Sequence, residues 1–162
     1  MSDATSRDTV RQAVQAQRAR WVFGRYAVAC DRGDQAALAA LFHPDATAVY
    51  VEGSELNGNA EIAAWVIGAM AHVVWQQHGL TVMTAEIDGD RASAVAYLTA
   101  TQVAADTPDT AVIMNCRYDA ELELVDDEWL IRRLHFGVGT IEQRPVQLGS
   151  LAATAGKAAQ YV

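Results

Sequence analysis

The sequence predicts an α+β fold in which helices near the N-terminus cover one face of a mostly antiparallel sheet. Three observations carry this expectation. Apolar residues recur at helical spacings through most of the chain up to about residue 74. The period then changes to two and stays there for most of the remaining residues. The long alternating runs are joined mostly by short polar turns, as in antiparallel hairpins. A long sheet with one helical face curls and leaves a cavity between sheet and helices, a setting in which small apolar ligands bind.

Residues 1–7 read as a frayed start, and Asp8 to Arg32 as one long helix without Pro. Val10, Val14, Trp21, Val22, Phe23, Tyr26 and Val28 recur there at three- and four-residue spacings. Arg32-Gly33 ends the helix with a basic last turn and a Gly just beyond it. Asp34 is placed to cap a short Ala- and Leu-rich helix from Gln35 to Phe42, which His43-Pro44-Asp45 breaks. Ala46 to Glu52 is a β-type run, and Gly53 to Asn59 is a turn containing Asn57-Gly58. Asn59 to about Val74 reads as a third helix with Ile62, Trp65, Val66, Ala69 and Met70 near one stripe.

Trp75 to Ile87 and Arg91 to Val103 read as strands around the turn Asp88-Gly89-Asp90. After a loop, Ala111 to Val125 alternates most cleanly. Met114, Cys116, Tyr118, Ala120 and Leu122 take one face, and Asn115, Arg117, Asp119, Glu121 and Glu123 the other. Asp126-Asp127 turns the chain into a last strand, Glu128 to Ile141. The expected organisation is one domain over residues 1–141. A tail, 142–162, is expected to be irregular and to drape over a neighbour.

The 162 residues suit one domain of ordinary size, and 51% hydrophobic with 20% charged residues is a globular composition. Twelve basic against 20 acidic residues leave a formal net charge of −8. With a pI near 4.8, nucleic acid and anionic membranes are poor partners. Mean hydropathy is +0.03, and no run approaches the ~18 apolar residues of a membrane span. The polar stretch Met1 to Asp8 lacks the apolar segment of a signal peptide, so a cytoplasmic location is expected. Cys30 and Cys116 read as two buried free thiols. Metal-ligand spacing and a Gly-rich phosphate loop are both absent from the sequence, so neither metal nor cofactor is expected.

Four segments, in order, resemble one known group. They are Arg25-Tyr26 through Asp31-Arg32-Gly33-Asp34; Leu41-Phe42-His43-Pro44-Asp45-Ala46; His78 followed by Ile87-Asp88-Gly89-Asp90-Arg91-Ala92; and Asp127-Glu128-Trp129-Leu130-Ile131-Arg132-Arg133. The chain resembles the SnoaL-like family of the nuclear transport factor 2-like superfamily over roughly residues 8–141. That group includes scytalone dehydratase, lindane dehydrochlorinase and bile-acid 7-alpha-dehydratase. The resemblance implies a cone-like α+β barrel, a curved, mostly antiparallel sheet wrapped around about three helices with an internal pocket. In its dehydratases and dehydrochlorinases, an Asp ending the first helix pairs with a His on the strand after the third. Asp31 and His78 stand at those places. Tyr26 and Tyr50 match tyrosines that line the pocket.

A His–Asp pair has a definite chemical use. One imidazole nitrogen takes a proton from the substrate, while the carboxylate accepts from the other, fixing the tautomer and stabilising the imidazolium. Asp31 near a helix C-terminus otherwise opposes the macrodipole. Ala27 and Gly24, four and seven residues earlier, would leave space on its face. Strand parity puts Leu80, Val82 and Thr84 beside His78.

Tyr50 would polarise a carbonyl or stabilise an enolate oxygen, and Tyr26 serves either core or pocket. Trp65 reads as core or pocket wall, Met114 and Tyr118 as cavity lining. His43 reads as structural, His72 as a surface residue, and His135 as a further candidate for the pocket.

These readings point to a cofactor-independent dehydratase acting on a small, cyclic, hydrophobic carbonyl metabolite. A ketosteroid-isomerase-like isomerase, a polyketide cyclase and a non-catalytic ligand-binding member of the fold are the alternatives. A homodimer or homotrimer formed through the sheet is expected.

Overall fold

The computed structural model describes residues 2–151, with side chains described from Thr9 onward. The elements run α1 (Ser2–Arg32), α2 (Gln35–Ala39), β1 (Phe42–Val51), β2 (Ser54–Asn57), α3 (Asn59–Ala69), β3 (Val73–Asp88), β4 (Arg91–Ala104), β5 (Thr110–Val125) and β6 (Glu128–Pro145). The six strands form one curved, unclosed sheet in the order β2-β1-β6-β5-β4-β3. All neighbours are antiparallel except β1 and β6, which run parallel. The helices pack on one face, with α1 against β3, β4 and β6.

α1 begins at Ser2 rather than Asp8, since no Gly or Pro interrupts the first turns. It ends at Gly33, whose φ of 64° is the left-handed conformation that Gly adopts without strain. Asp34 N–H bonds to Ala29 C=O (2.9 Å) and Gly33 N–H to Cys30 C=O (3.0 Å), the paired bonds of a Schellman stop. Asp34 then caps α2, its carboxylate accepting from Ala37 N–H at 2.9 Å.

Four expectations are corrected. α2 ends at Ala39, and Phe42 already belongs to β1. The pairings Phe42 to Ile131 and Thr47 to Arg133 set five residues of advance on β1 against two on β6. His43-Pro44-Asp45 is therefore a bulge within a strand, where the missing proline N–H costs no ladder bond. The turn at Gly53–Asn59 contains the short edge strand β2. α3 stops at Ala69, and β3 starts at Val73. β6 runs on to Pro145, its last residues pairing with Thr110 to Ile113, so the chain stays regular past Ile141. The expected draped tail lies from residue 152 onward outside the described residues.

The core fills the space between helices and sheet. Phe23, Tyr26, Phe42, Leu38, Leu41, Ile62, Leu122, Trp129, Ile131 and Leu134 are all almost fully buried. Cys30 and Cys116 are buried free thiols, as expected. Two-sided polar alternation holds on β5, where Cys116, Tyr118, Ala120 and Leu122 face inward. Among the described residues no helix is long and apolar enough to cross a membrane.

Candidate active site

The last turn of α1 meets the start of β3, and two chemistry-bearing residues come together there. Asp31 Oδ1 lies 2.6 Å from His78 Nδ1, and its Oδ2 accepts from the His78 backbone N–H at 3.1 Å. Both carboxylate oxygens are thus engaged by one residue. A carboxylate only accepts, so Nδ1 carries the proton and Nε2 is left with its lone pair free. The imidazole is largely covered, at 7% side-chain exposure, while the carboxylate keeps 28%. The pair joins the end of α1 to β3, with the imidazole the more covered of the two groups.

Deeper in, the tyrosines form a second group. The Tyr26 and Tyr50 hydroxyls are 2.8 Å apart. Tyr26 packs against Tyr118, with ring centroids 5.1 Å apart, and Tyr118 packs against Phe23 and Phe136. Tyr50 stacks on Trp65 at 5.1 Å. Burial pushes the Tyr26, Tyr50 and Tyr118 phenols well above their usual range. Burial also pushes the Cys30 thiol up to about 12. Cys30 adjoins Asp31 in sequence and the tyrosines in space, so one helical stretch links the two groups. Tyr26 and Asp31 lie five residues, or ~7.5 Å of helix rise, apart.

The sequence-derived residues therefore separate by depth. Asp31 and His78 touch. Tyr26 and Tyr118 lie in the core at 2% and 4% exposure, with Tyr50 partly buried in front of Tyr26. Trp65, on α3, is 38% exposed, and its ring stacks on Tyr50. Met114 is partly buried against the core; its β4 partner, Ala100, is also the partner of His78, so the two share one row of the sheet.

His135 points the other way. It is exposed beside Asp119 on the outer sheet face, where it lines a groove of about 540 Å³ with Tyr97 and Arg117. His43 is structural, its Nδ1 accepting from Asp45 N–H at 3.1 Å beside the Arg132 guanidinium. His72 is exposed.

Two local expectations fail for stated reasons. Gly24 leaves no free space before Asp31, because the Trp21 indole packs onto it, 3.0 Å from where a Cβ would stand. Val82 and Thr84 do not share the face of His78. A bulge between Leu80 and Val82 reverses the parity, so Met83 and Ala85 pack inward and Val82 is 50% exposed.

One residue escaped the sequence reading. Gln76 donates from Nε2 to the Cys30 carbonyl at 2.6 Å, directly beside the Asp31–His78 contact. Its signal was a polar side chain two residues before His78, on the same face of a strand that turns apolar at Leu80.

The SnoaL-like domain model matches residues 13–135. This chain belongs to the SnoaL-like domain family. Solved structures agree on the fold of this SnoaL-like protein. A provisionally assigned scytalone dehydratase from Novosphingobium aromaticivorans DSM 12444 superposes with a TM-score of 0.75. It is 15% identical, over 87% of this chain and 93% of that one. The hexachlorocyclohexane dehydrochlorinase LinA-type3 from Novosphingobium barchaimii LL02 gives 0.72 at 14% identity, over 91% and 99%. A provisionally assigned aromatic ring hydroxylase from Novosphingobium aromaticivorans is 26% identical, with a TM-score of 0.67 over 76% and 88%. A search of curated proteins by sequence returns no match.

Proposed function

We propose that this SnoaL-like protein is a cofactor-independent dehydratase acting on a small, cyclic, hydrophobic carbonyl compound, with His78 as general base and acid. The observation that carries this reading is the two-point grip of Asp31 on His78. It holds one tautomer and leaves Nε2 as the only basic nitrogen of the ring. Nε2 takes a proton from the carbon next to the carbonyl. Asp31 stabilises the imidazolium that forms. The Tyr50 hydroxyl, backed by Tyr26, donates toward the developing enolate oxygen. The enolate then expels the hydroxyl, which leaves as water with the proton returned by His78. Where the substrate has no leaving group, the same proton goes back to a different carbon and the reaction is an isomerisation.

The fold relatives named above include a dehydrochlorinase and a provisionally assigned dehydratase, and they support elimination chemistry as the class. The close packing of Tyr26, Tyr118, Phe23 and Phe136 favours a second reading, a non-catalytic ligand-binding member. ¹⁵N-histidine NMR separates the two. In the wild type, His78 should show the Nδ1–H tautomer. In Asp31→Asn the backbone N–H of His78 keeps the amide oxygen, so the amide NH₂ faces Nδ1 and the proton moves to Nε2. Turnover of hydroxylated cyclic ketones should fall by roughly 10²–10⁴-fold in that variant and in His78→Gln. A wild-type His78 without tautomer preference, together with ligand binding but no turnover, would sink the dehydratase and leave the binding protein.

A further inference from the structure

Gln76 is a costly residue to place where it is. The group 2.6 Å from the Cys30 carbonyl must be a donor, so the amide orientation is forced and Nε2 faces Cys30. Oε1 is then directed elsewhere, buried and with no hydrogen-bond partner among the described residues. A buried acceptor left unpaired carries its full desolvation penalty. The bond it comes with is not needed by the helix end, because the Cys30 carbonyl already accepts from Gly33 N–H at 3.0 Å. An apolar side chain of the same length would lose one redundant bond and remove one orphaned acceptor. Pairing with the described residues therefore gives little reason for Gln at this place.

The neighbouring contacts supply a reason. Cys30 and Asp31 are consecutive on α1, and Gln76 and His78 lie on one face of β3. The Gln76–Cys30 bond and the two Asp31–His78 bonds thus form parallel ties between the same helix turn and the same strand. A carboxylate on a helix end can slide along the strand unless something fixes the turn. We propose that Gln76 is a positioning residue. Its amide N–H holds the last turn of α1 in register with β3, so that the Asp31 carboxylate meets the backbone N–H and Nδ1 of His78 together. This inference rests on the reading of Asp31 and His78 as a working pair.

The test is Gln76→Met, with Gln76→Glu as a second variant of similar length whose carboxylate repels the Cys30 carbonyl. Each is measured by thermal melting and by ¹H–¹⁵N NMR of the His78 ring. The expected result for Gln76→Met is a melting temperature equal to or above that of the wild type, with loss of the His78 Nδ1–H resonance through faster exchange with solvent. Gln76→Glu should lose the same resonance. An unchanged Nδ1–H resonance in Gln76→Met would overturn the proposal. So would failure of both variants to fold, since Gln76 would then be a structural residue. Failure of the dehydratase reading looks different: it appears in the wild type and in Asp31→Asn, before any change at position 76.

Discussion

At the residue scale, the site is built from side chains whose environments set their chemistry. Three of the five tyrosines are held protonated by burial: Tyr26, Tyr50 and Tyr118. A raised folded-state pKa means that the native protein keeps protons which the unfolded chain releases near pH 10. The stability these phenols contribute is fully present below that pH and is lost as pH rises through their folded values. Phenolate absorbance should therefore show Tyr26 and Tyr118 ionising only together with alkaline unfolding. Ionisation of Tyr26 or Tyr118 near pH 10 with native circular dichroism intact would refute their burial. The Cys30 thiol, up at about 12, should likewise resist thiol reagents at neutral pH until the chain unfolds.

Much of the Asp31–His78 pair was legible at this scale. An Asp opposing its own helix dipole invites a compensating partner, and family position indicated which one. Gln76 left only the trace of a polar residue two places before His78, because its partner is a backbone carbonyl 46 residues away.

At the element scale, local chemistry set where several segments stop, while pairing set where strands extend. Asp34 serves two helices at once, closing the Schellman stop of α1 and capping α2. Asp34→Ala should cost about 1 kcal/mol, read as a shift of the urea midpoint, because Ala cannot accept from Ala37 N–H. An unchanged midpoint would mean that water replaces the cap without loss. Asp126 and Asp127, with φ of 48° and 65°, make the tight hairpin turn that their position suggested. β2 was missed because four edge residues after a Gly read as turn chemistry until a neighbouring strand pairs with them. The parity error at Val82 and Thr84 has a similar origin. Thr81 is the extra residue of a bulge, and one extra residue exchanges the two faces of everything beyond it.

At the scale of the whole molecule, the parallel pairing of β1 with β6 ties the N-terminal half to the last strand and sets the sheet order. Ile131 sits at that junction, fully buried, paired with Phe42 on one side and Leu122 on the other. Ile131→Ala should lower stability by about 2–5 kcal/mol, seen as a lower urea midpoint with an unchanged slope. A smaller loss would show that the surrounding side chains collapse into the space. The ion pairs of Arg18 and Arg25 with Asp127 and Glu128 also join α1 to the last hairpin. They are solvent-exposed, so the buried junction dominates the cohesion of the two halves.

The sequence by itself determined the fold class, the order of helices and long strands, the stop at Gly33, the cap at Asp34 and the hairpin turns. These depend on patterns within a few residues, where backbone propensity and alternation act directly. It also nominated Asp31 and His78 through the company they keep. Tertiary structure alone decided the two-point contact between them, the clamp by Gln76, the outward turn of His135 and the filling of Gly24's space by Trp21. Each of these depends on which strand register and which helix face are brought together. That choice is made by burying the core as a whole, and no single segment encodes it.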